Sequence, residues 1–252
     1  RKHTAWASAL LLVALGAGWY VYSKQPTRQG TVTLANLQGS VTVRYDDRGV
    51  PHIRAENETD LYRALGYVHA QDRLFQMEIM RRLARGELAE VLGPKLLETD
   101  KLFRSLRIRD RAATYVAQLD HESAHWKALQ AYLDGINQYQ DSHASPMEFD
   151  VLGIPKRPFT AEDTISVAGY MAYSFAAAFR TEPLLTYVRD QLGSDYLKVF
   201  DLDWQPKGAL NLAASDWKTL GALASLSEQA LAENGLPQFE GSNAWAISGS
   251  RT

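Results

Sequence analysis

Between Asn57 and Leu92 large apolar residues recur at steps of three, four and seven, so that Leu61, Leu65, Val68, Phe75, Ile79 and Leu83 share one stripe. That spacing puts them on one side of an α-helix, and Asn57 or Thr59 can cap its start. A helix this long must lie across a core. The pattern breaks near Arg85-Gly86, resumes from Leu88 to Leu92, and stops at Gly93-Pro94. Asp72 interrupts the stripe between Val68 and Phe75. A lone carboxylate is costly to bury, so Asp72 is expected to be paired with an arginine or with backbone N–H groups, in a structural role by default rather than a catalytic one. With 252 residues, 46% of them apolar, the chain can fill one large domain or two small ones.

Other stretches place further elements. Val41, Val43 and Tyr45 alternate with polar residues, Asp46 to Gly49 turn the chain, and Val50 to Ile53 return it, which reads as a hairpin whose second strand, carrying Pro51, lies at an edge or a bulge. A helix is expected from about Ser123 to Gln140, burying Trp126, Leu129, Leu133 and Ile136. Residues 142–158 read as loop. A third helix starts at Thr160, where Asp163 three residues on can complete a capping box. It continues through VAGYMAYSFAAAF, a run so apolar that it must be covered on most sides or line a cavity. Residues 206–237 carry no sharp pattern and read as a connector with some helix. Neither an internal repeat nor a low-complexity tract is visible.

At the amino-terminal end, Arg1-Lys2 precedes an uncharged run from Ala5 to Tyr22 that gives way to Lys24-Gln25-Pro26. Basic charge before an apolar segment is the pattern of an export signal; the run is long for a cleaved one, and its small-residue step, Gly16-Ala17-Gly18, lies inside it. A signal peptide and an inner-membrane anchor both fit residues 1–24. A polar linker, residues 24–40, follows.

Charge and composition remove several functions. Basic and acidic side chains number 27 and 29, so no electrostatic footprint favours nucleic acid. Cysteine is absent, which excludes disulfides, thiolate metal sites and a cysteine nucleophile in this chain. The six histidines show no metal-ligand spacing, and no glycine-rich phosphate loop or GxSxG elbow occurs. One tripeptide stands out: Gly241-Ser242-Asn243, set against the strand-like run Ala244-Trp245-Ala246-Ile247. Read plainly it is a turn entering a strand. Read chemically, scission of the Gly241–Ser242 bond gives Ser242 a free α-amine with an intrinsic pKa near ~8, a base on the same residue as the hydroxyl nucleophile. Gly241 suits the uncut form, since a residue without Cβ tolerates the strained backbone that brings Ser242 Oγ to the preceding carbonyl.

Taken together, GYVHAQDRLFQMEIMRRLARGELAEVLG at 66–93, DDRGVPHI before it, AYLDGINQY and PMEFDVLGIPKRPFTAEDT after it, and GSNAWAISGS at 241–250 resemble the penicillin acylase family of N-terminal nucleophile hydrolases. The resemblance covers most of residues 41–193 and then 241–252, in several blocks in the family's order. It implies an α+β fold, the αββα sandwich, of which this chain supplies the mainly helical α-chain part, a hairpin and the first β-chain strand. It also implies an exported, periplasmic precursor that cuts itself into an α chain (residues 25–205), a spacer (206–241) and a β chain starting at Ser242. Met171 and Phe175 match positions that line the family's acyl pocket, with plain core packing as the alternative; Ser174 stands between them where some members carry arginine. Glu182 matches the family's α-chain calcium ligand, or else is a solvated helix charge; calcium needs further oxygen ligands, which the family takes from the β chain. The implied partners are that β chain and an N-acylated small molecule, a β-lactam or an N-acyl homoserine lactone. A membrane-tethered helical scaffold, or a family member without activity, is the competing expectation.

Overall fold

A computed structural model describes the backbone of residues 2–175 and 177–200, and side chains over 12–175 and 184–197. Gly241, Ser242, the spacer and the strand-like run after it lie outside the described residues, as does the side chain of Glu182. The described chain runs α1 (Lys2–Ser23), β1 (Thr42–Tyr45), β2 (Pro51–Arg54), α2 (Glu58–Arg85), α3 (Ala89–Leu92), α4 (Leu97–Ser105), α5 (Ile108–Gln118), α6 (Ala124–Ser142), α7 (Met147–Leu152), α8 (Ala161–Phe175) and α9 (Ala177–Leu192), with short 3-10 turns at Pro94–Leu96 and Ser194–Phe200. Among the described residues no helix is long and apolar enough to cross a membrane; the side chains of the first eleven residues, which include the start of the apolar run, are not among them.

The long helix is delimited by its caps. Asn57 accepts the Asp60 N–H at 2.9 Å, Glu58 and Asp60 meet the positive end of the helix dipole, and Gly86 at φ 66° closes the other end with its N–H on Arg82 and Leu83 carbonyls. Midway, Arg73 leaves helical geometry (φ −139°, ψ 16°) and kinks α2. The expected pairing of Asp72 is found, with Arg28 Nη2 at 3.0 Å.

The buried face of α2 differs from the leucine stripe. Leu65 is 40% exposed, and in this half the buried residues are Asp60, Arg63, Ala64, Gly66, Tyr67, Val68 and Ala70, with Leu74 just past the kink, centred about a third of a turn from the stripe at 100° per residue. The partner decides. α6 packs along this half, and the two backbones touch where Gly66 meets Gly135: a Cβ on Gly66 would stand 1.9 Å from the Tyr132 carbonyl oxygen, and one on Gly135 1.9 Å from that of Arg63. Small residues thus draw the interface to themselves and leave Leu65 outside. Beyond the kink Leu83 and Ala84 are fully buried, packed with Leu88, Leu96, Leu102, Phe103 and Tyr170. A second cluster gathers Tyr67, Leu74, Leu133, Ile136, Tyr139 and Phe149.

The hairpin forms as expected, Val43 opposite Ile53 and Pro51 at the turn end opposite Tyr45, with Asp46 Oδ1 accepting the N–H groups of Arg48 and Val50 at 2.9 Å. Ser123 caps α6 by accepting the Trp126 N–H. The stretch read as loop contains α7, and α4 and α5 were not anticipated by the sequence reading.

A candidate substrate-facing cleft

α8 is placed by a buried ionic network. Glu78 is fully buried between two arginines of its own helix; it pairs with Arg81 and accepts Arg82 Nε at 2.6 Å. Asp163 joins α8 to that network. It accepts Arg85 Nη1 at 2.9 Å and Arg81 Nη1 at 3.3 Å, while the same carboxylate accepts the Thr160 N–H at 3.1 Å and its own N–H reaches Thr160 Oγ1. The expected capping box therefore also serves as a charged bolt between α8 and α2. Arg81 donates to the Pro158 carbonyl at 3.0 Å and lies 3.9 Å over the Phe159 ring. Its burial pushes the guanidinium pKa down, against the pull of Glu78 and Asp163. Farther along, Glu87 accepts from Arg85 at 3.0 Å and Arg157 at 2.9 Å. Burial alone would raise its pKa, but those two hydrogen bonds hold it below the ordinary value.

Above this bolt a cleft of about 570 Å³ opens between α2, α6 and α8. Met77, Met80, Ile136, Phe159, Val167 and Met171 give it apolar walls, and His69, Arg73 and Tyr132 add polar groups. His69 Nδ1 and the Tyr132 hydroxyl are 2.5 Å apart. Burial pushes Tyr132 up to about 12, so its proton stays on the oxygen. Burial, reinforced by Arg73 and opposed by Asp72, lowers the pKa of His69, so at neutral pH the ring is uncharged and its Nδ1 accepts a hydrogen bond from the phenol O–H. Apolar walls with a few convergent polar groups are what a small-molecule pocket needs.

The expected pocket residues separate here. Met171 lines the cleft and is 40% exposed. Ser174 turns its hydroxyl onto the Tyr170 carbonyl of its own helix at 3.0 Å. Phe175 is exposed at the end of α8 and is not among the cleft's lining residues. Of the two expectations for the apolar run, coverage on most sides is not met, since α8 buries Ala161, Asp163, Ser166 and Tyr170 alone among its residues, whereas Val167, Ala168 and Met171 line the cleft. Among the described residues no group of three His, Asp or Glu side chains could hold a metal ion. His69 has its hydrogen-bond partner in Tyr132. Sequence reasoning missed the ionic bolt, although Glu78, Arg81, Arg82 and Arg85 at steps of three and four were a visible signal of it.

The family model described as penicillin amidase matches residues 40–252, and the chain belongs to that family. It is 41% identical over 146 residues to the penicillin acylase 2 proenzyme of Pseudomonas sp. (strain SE83), covering 56% of this chain and 18% of that protein. Over 171 residues it is 36% identical to the penicillin G acylase of Escherichia coli, covering 63% and 20%. An acyl-homoserine lactone acylase, QuiP of Pseudomonas putida, is 30% identical over 239 residues, 88% of this chain and 29% of that one. The chain thus spans between 18% and 29% of these relatives' length. Among solved structures it is similar to a thermostable penicillin G acylase from Alcaligenes faecalis, with a TM-score of 0.53 and 27% identity, over 69% of this chain and 96% of that one. The fold expectation stands: the described residues are mainly helical with one two-stranded hairpin, the part expected of the α-chain region of an N-terminal nucleophile hydrolase.

Proposed function

We propose that this chain is the amino-terminal part of an exported precursor of an amidohydrolase that matures by cutting itself before Ser242. The observation that carries this reading is the unbroken family match from residue 40 to 252, which runs through the Gly241–Ser242 step. Residues 25–205 become the α chain, 206–241 the spacer, and Ser242 the first residue of the β chain, the partner that completes the enzyme. Ser242 Oγ attacks the amide carbonyl of an N-acylated substrate while its α-amine takes the hydroxyl proton. The C–N bond breaks, the amine leaves with that proton, and an acyl ester forms on Ser242; water then releases the carboxylic acid and restores the hydroxyl. Donors from the rest of the protein hold the oxyanion.

The substrate class is an apolar acyl group on an amine, a β-lactam or an N-acyl homoserine lactone, in keeping with the names of the relatives. Met171 offers its side chain to the acyl group from the cleft, and Phe175 joins it only if the β chain closes over the end of α8. Ser174, bonded within its helix, acts as a small spacer there. Glu182 contributes one oxygen to a structural calcium whose other ligands lie outside the described residues. Residues 1–24 direct the protein out of the cytoplasm, to the periplasm or the outer face of the inner membrane.

Intact-mass analysis of the full gene product tests this. Two chains are expected, the second starting at Ser242, and Ser242→Ala is expected to leave one uncut, inactive chain. An uncut wild-type protein that hydrolyses N-acyl substrates would overturn the mechanism, and an uncut protein with an unaltered Ser242→Ala phenotype would favour a scaffold.

A further inference from the structure

Helix α1 stands away from the helical body. Its described side chains are bare: Leu12 is 69% exposed, Trp19 72% and Tyr22 74%. Among its described side chains, those at the carboxyl-terminal end are held. Tyr20 Oη donates to Asp150 Oδ2 at 2.7 Å, and Lys24 Nζ donates to the same oxygen at 2.5 Å and to the Ser145 carbonyl at 2.9 Å. The strap that follows is bound as well, Arg28 to Asp72 at 3.0 Å and the Thr27 carbonyl to Gln71 Nε2 at 2.7 Å. Beside the Asp150 clamp, α7 shows solvent two apolar side chains, Val151 at 77% exposure and Met147 at 43%.

We propose that α1 is retained as a bilayer anchor and that the Asp150 clamp seats α7 on the lipid surface beside it. This rests on the export reading above. The occupant is a phospholipid bilayer because the run from Ala5 to Tyr22 has no charged residue and no polar face on which to lie in an interface. At 1.5 Å per residue it is about 27 Å long, close to the ~30 Å hydrocarbon core. Trp19, Tyr20 and Tyr22 form the aromatic girdle that marks headgroup depth, with Lys24 just outside it. Asp150, which touches Tyr20 and Lys24, is then also at headgroup level, and its neighbour Val151 meets lipid. Retention follows from the same contacts. The small-residue step Gly16-Ala17-Gly18 sits inside continuous helix, one turn before the clamped residues, where a peptidase that needs extended backbone has no purchase.

The test uses the full-length gene product reconstituted in phosphatidylethanolamine–phosphatidylglycerol vesicles. The mature α chain should keep its apolar run by intact mass and resist extraction with alkaline carbonate. The chain has no cysteine of its own, so Val151→Cys and Lys101→Cys can be compared with a membrane-impermeant thiol reagent, the label being read as added mass on the mature α chain. Labelling at 151 should be several-fold slower in vesicles than in detergent, while 101 labels equally in both. An α chain that begins after Gly18, a carbonate-soluble product, a soluble oligomer joined through α1, or equal labelling at 151 would overturn the proposal. Scission before Ser242, read in the same spectrum, reports separately on the catalytic reading.

Discussion

Replacing Gly66 by alanine is the sharpest probe of how α2 and α6 meet. The added methyl would stand 1.9 Å from the Tyr132 carbonyl oxygen and 3.2 Å from the Ile136 nitrogen. Real contacts of this kind do not fall below 3.0 Å, so the helices must part by at least 3.0 − 1.9 = 1.1 Å at their crossing. A gap of that order forfeits about a quarter to a half of each dispersion contact along the seam, and the seam includes Tyr67, Ala70, Leu133 and Ile136. Overpacking costs about 1–3 kcal/mol where side chains can yield; here the obstacle is backbone, so a net loss of roughly 3 kcal/mol or more is expected after the ~1 kcal/mol that alanine gains over glycine in a helix. At about 2–4 °C per kcal/mol that lowers Tm by about 6–12 °C or more in thermal unfolding followed by circular dichroism. Gly169→Ala is the comparison, because its methyl would meet side chain rather than backbone, Ile108 Cγ2 at 2.8 Å and Cβ at 3.9 Å, and a smaller loss is expected there. A Gly66→Ala protein as stable as the parent, or more so, would refute the close backbone crossing, since helix propensity alone predicts a gain.

Glu78→Gln leaves Arg81 and Arg82 facing a neutral group in a fully buried place, and a loss of about 3–5 kcal/mol in denaturant unfolding is expected. Asp100→Ala removes the acceptor of the Leu88 and Ala89 N–H groups, both at 2.8 Å, and should cost about 1–3 kcal/mol. His69 has a folded pKa depressed below its ordinary 6.5 by burial first and Arg73 second, so the unfolded state binds its proton more readily. Stability should therefore rise with pH through the window from the depressed value up to 6.5, and His69→Gln should flatten that slope in a pH series of unfolding curves. Glu87 acts with the same sign in a more acid window: its contribution is complete above its ordinary 4.5 and is lost as pH falls through the lowered folded value. Glu87→Gln should weaken acid denaturation on that limb.

Much of the fold was legible because local chemistry fixed it. The caps at Asn57 and Thr160 and the break at Arg85-Gly86 each state where a helix begins or ends, and all are found in those roles. The Asp72 partner was foreseen because a carboxylate on an apolar stripe has few affordable neighbours. What sequence alone did not reveal was which side of α2 would be inside. Leucine weight pointed one way, yet two glycines allowed a closer approach than any leucine could, and close packing won. α4 and α5 were missed because their apolar residues are few and lie among charges, and their burial depends on Leu83, Leu88 and Tyr170 reaching them from elsewhere. In the cleft, Met171 was legible through the family resemblance, whereas the His69–Tyr132 contact joins residues 63 positions apart and could emerge only from the helix crossing at Gly66.

The α2–α8 pair is built inside out, and that bears on what the cleft is for. Glu78, Arg81, Arg82 and Asp163 occupy the interior, where methylene-rich side chains would cost no desolvation, while Met77, Met80, Val167 and Met171 stand along an open cleft. A chain selected only to fold alone gains nothing from this exchange, since a buried ionic cluster is at best near neutral against an apolar one of the same volume. What the cluster supplies is registry: each guanidinium accepts one geometry, so α8 is held to α2 by direction as well as by area. Registry matters if the wall that α8 presents must match something else to within a fraction of an ångström. On the reading proposed here that something is the β chain and the acyl group between them. Conservative loss of the bolt, Asp163→Asn, should then raise KM for the acyl substrate in the matured full-length enzyme more than it lowers Tm relative to Asp100→Ala, a variant outside the cleft. If KM follows Tm alike in both variants, the bolt serves stability only.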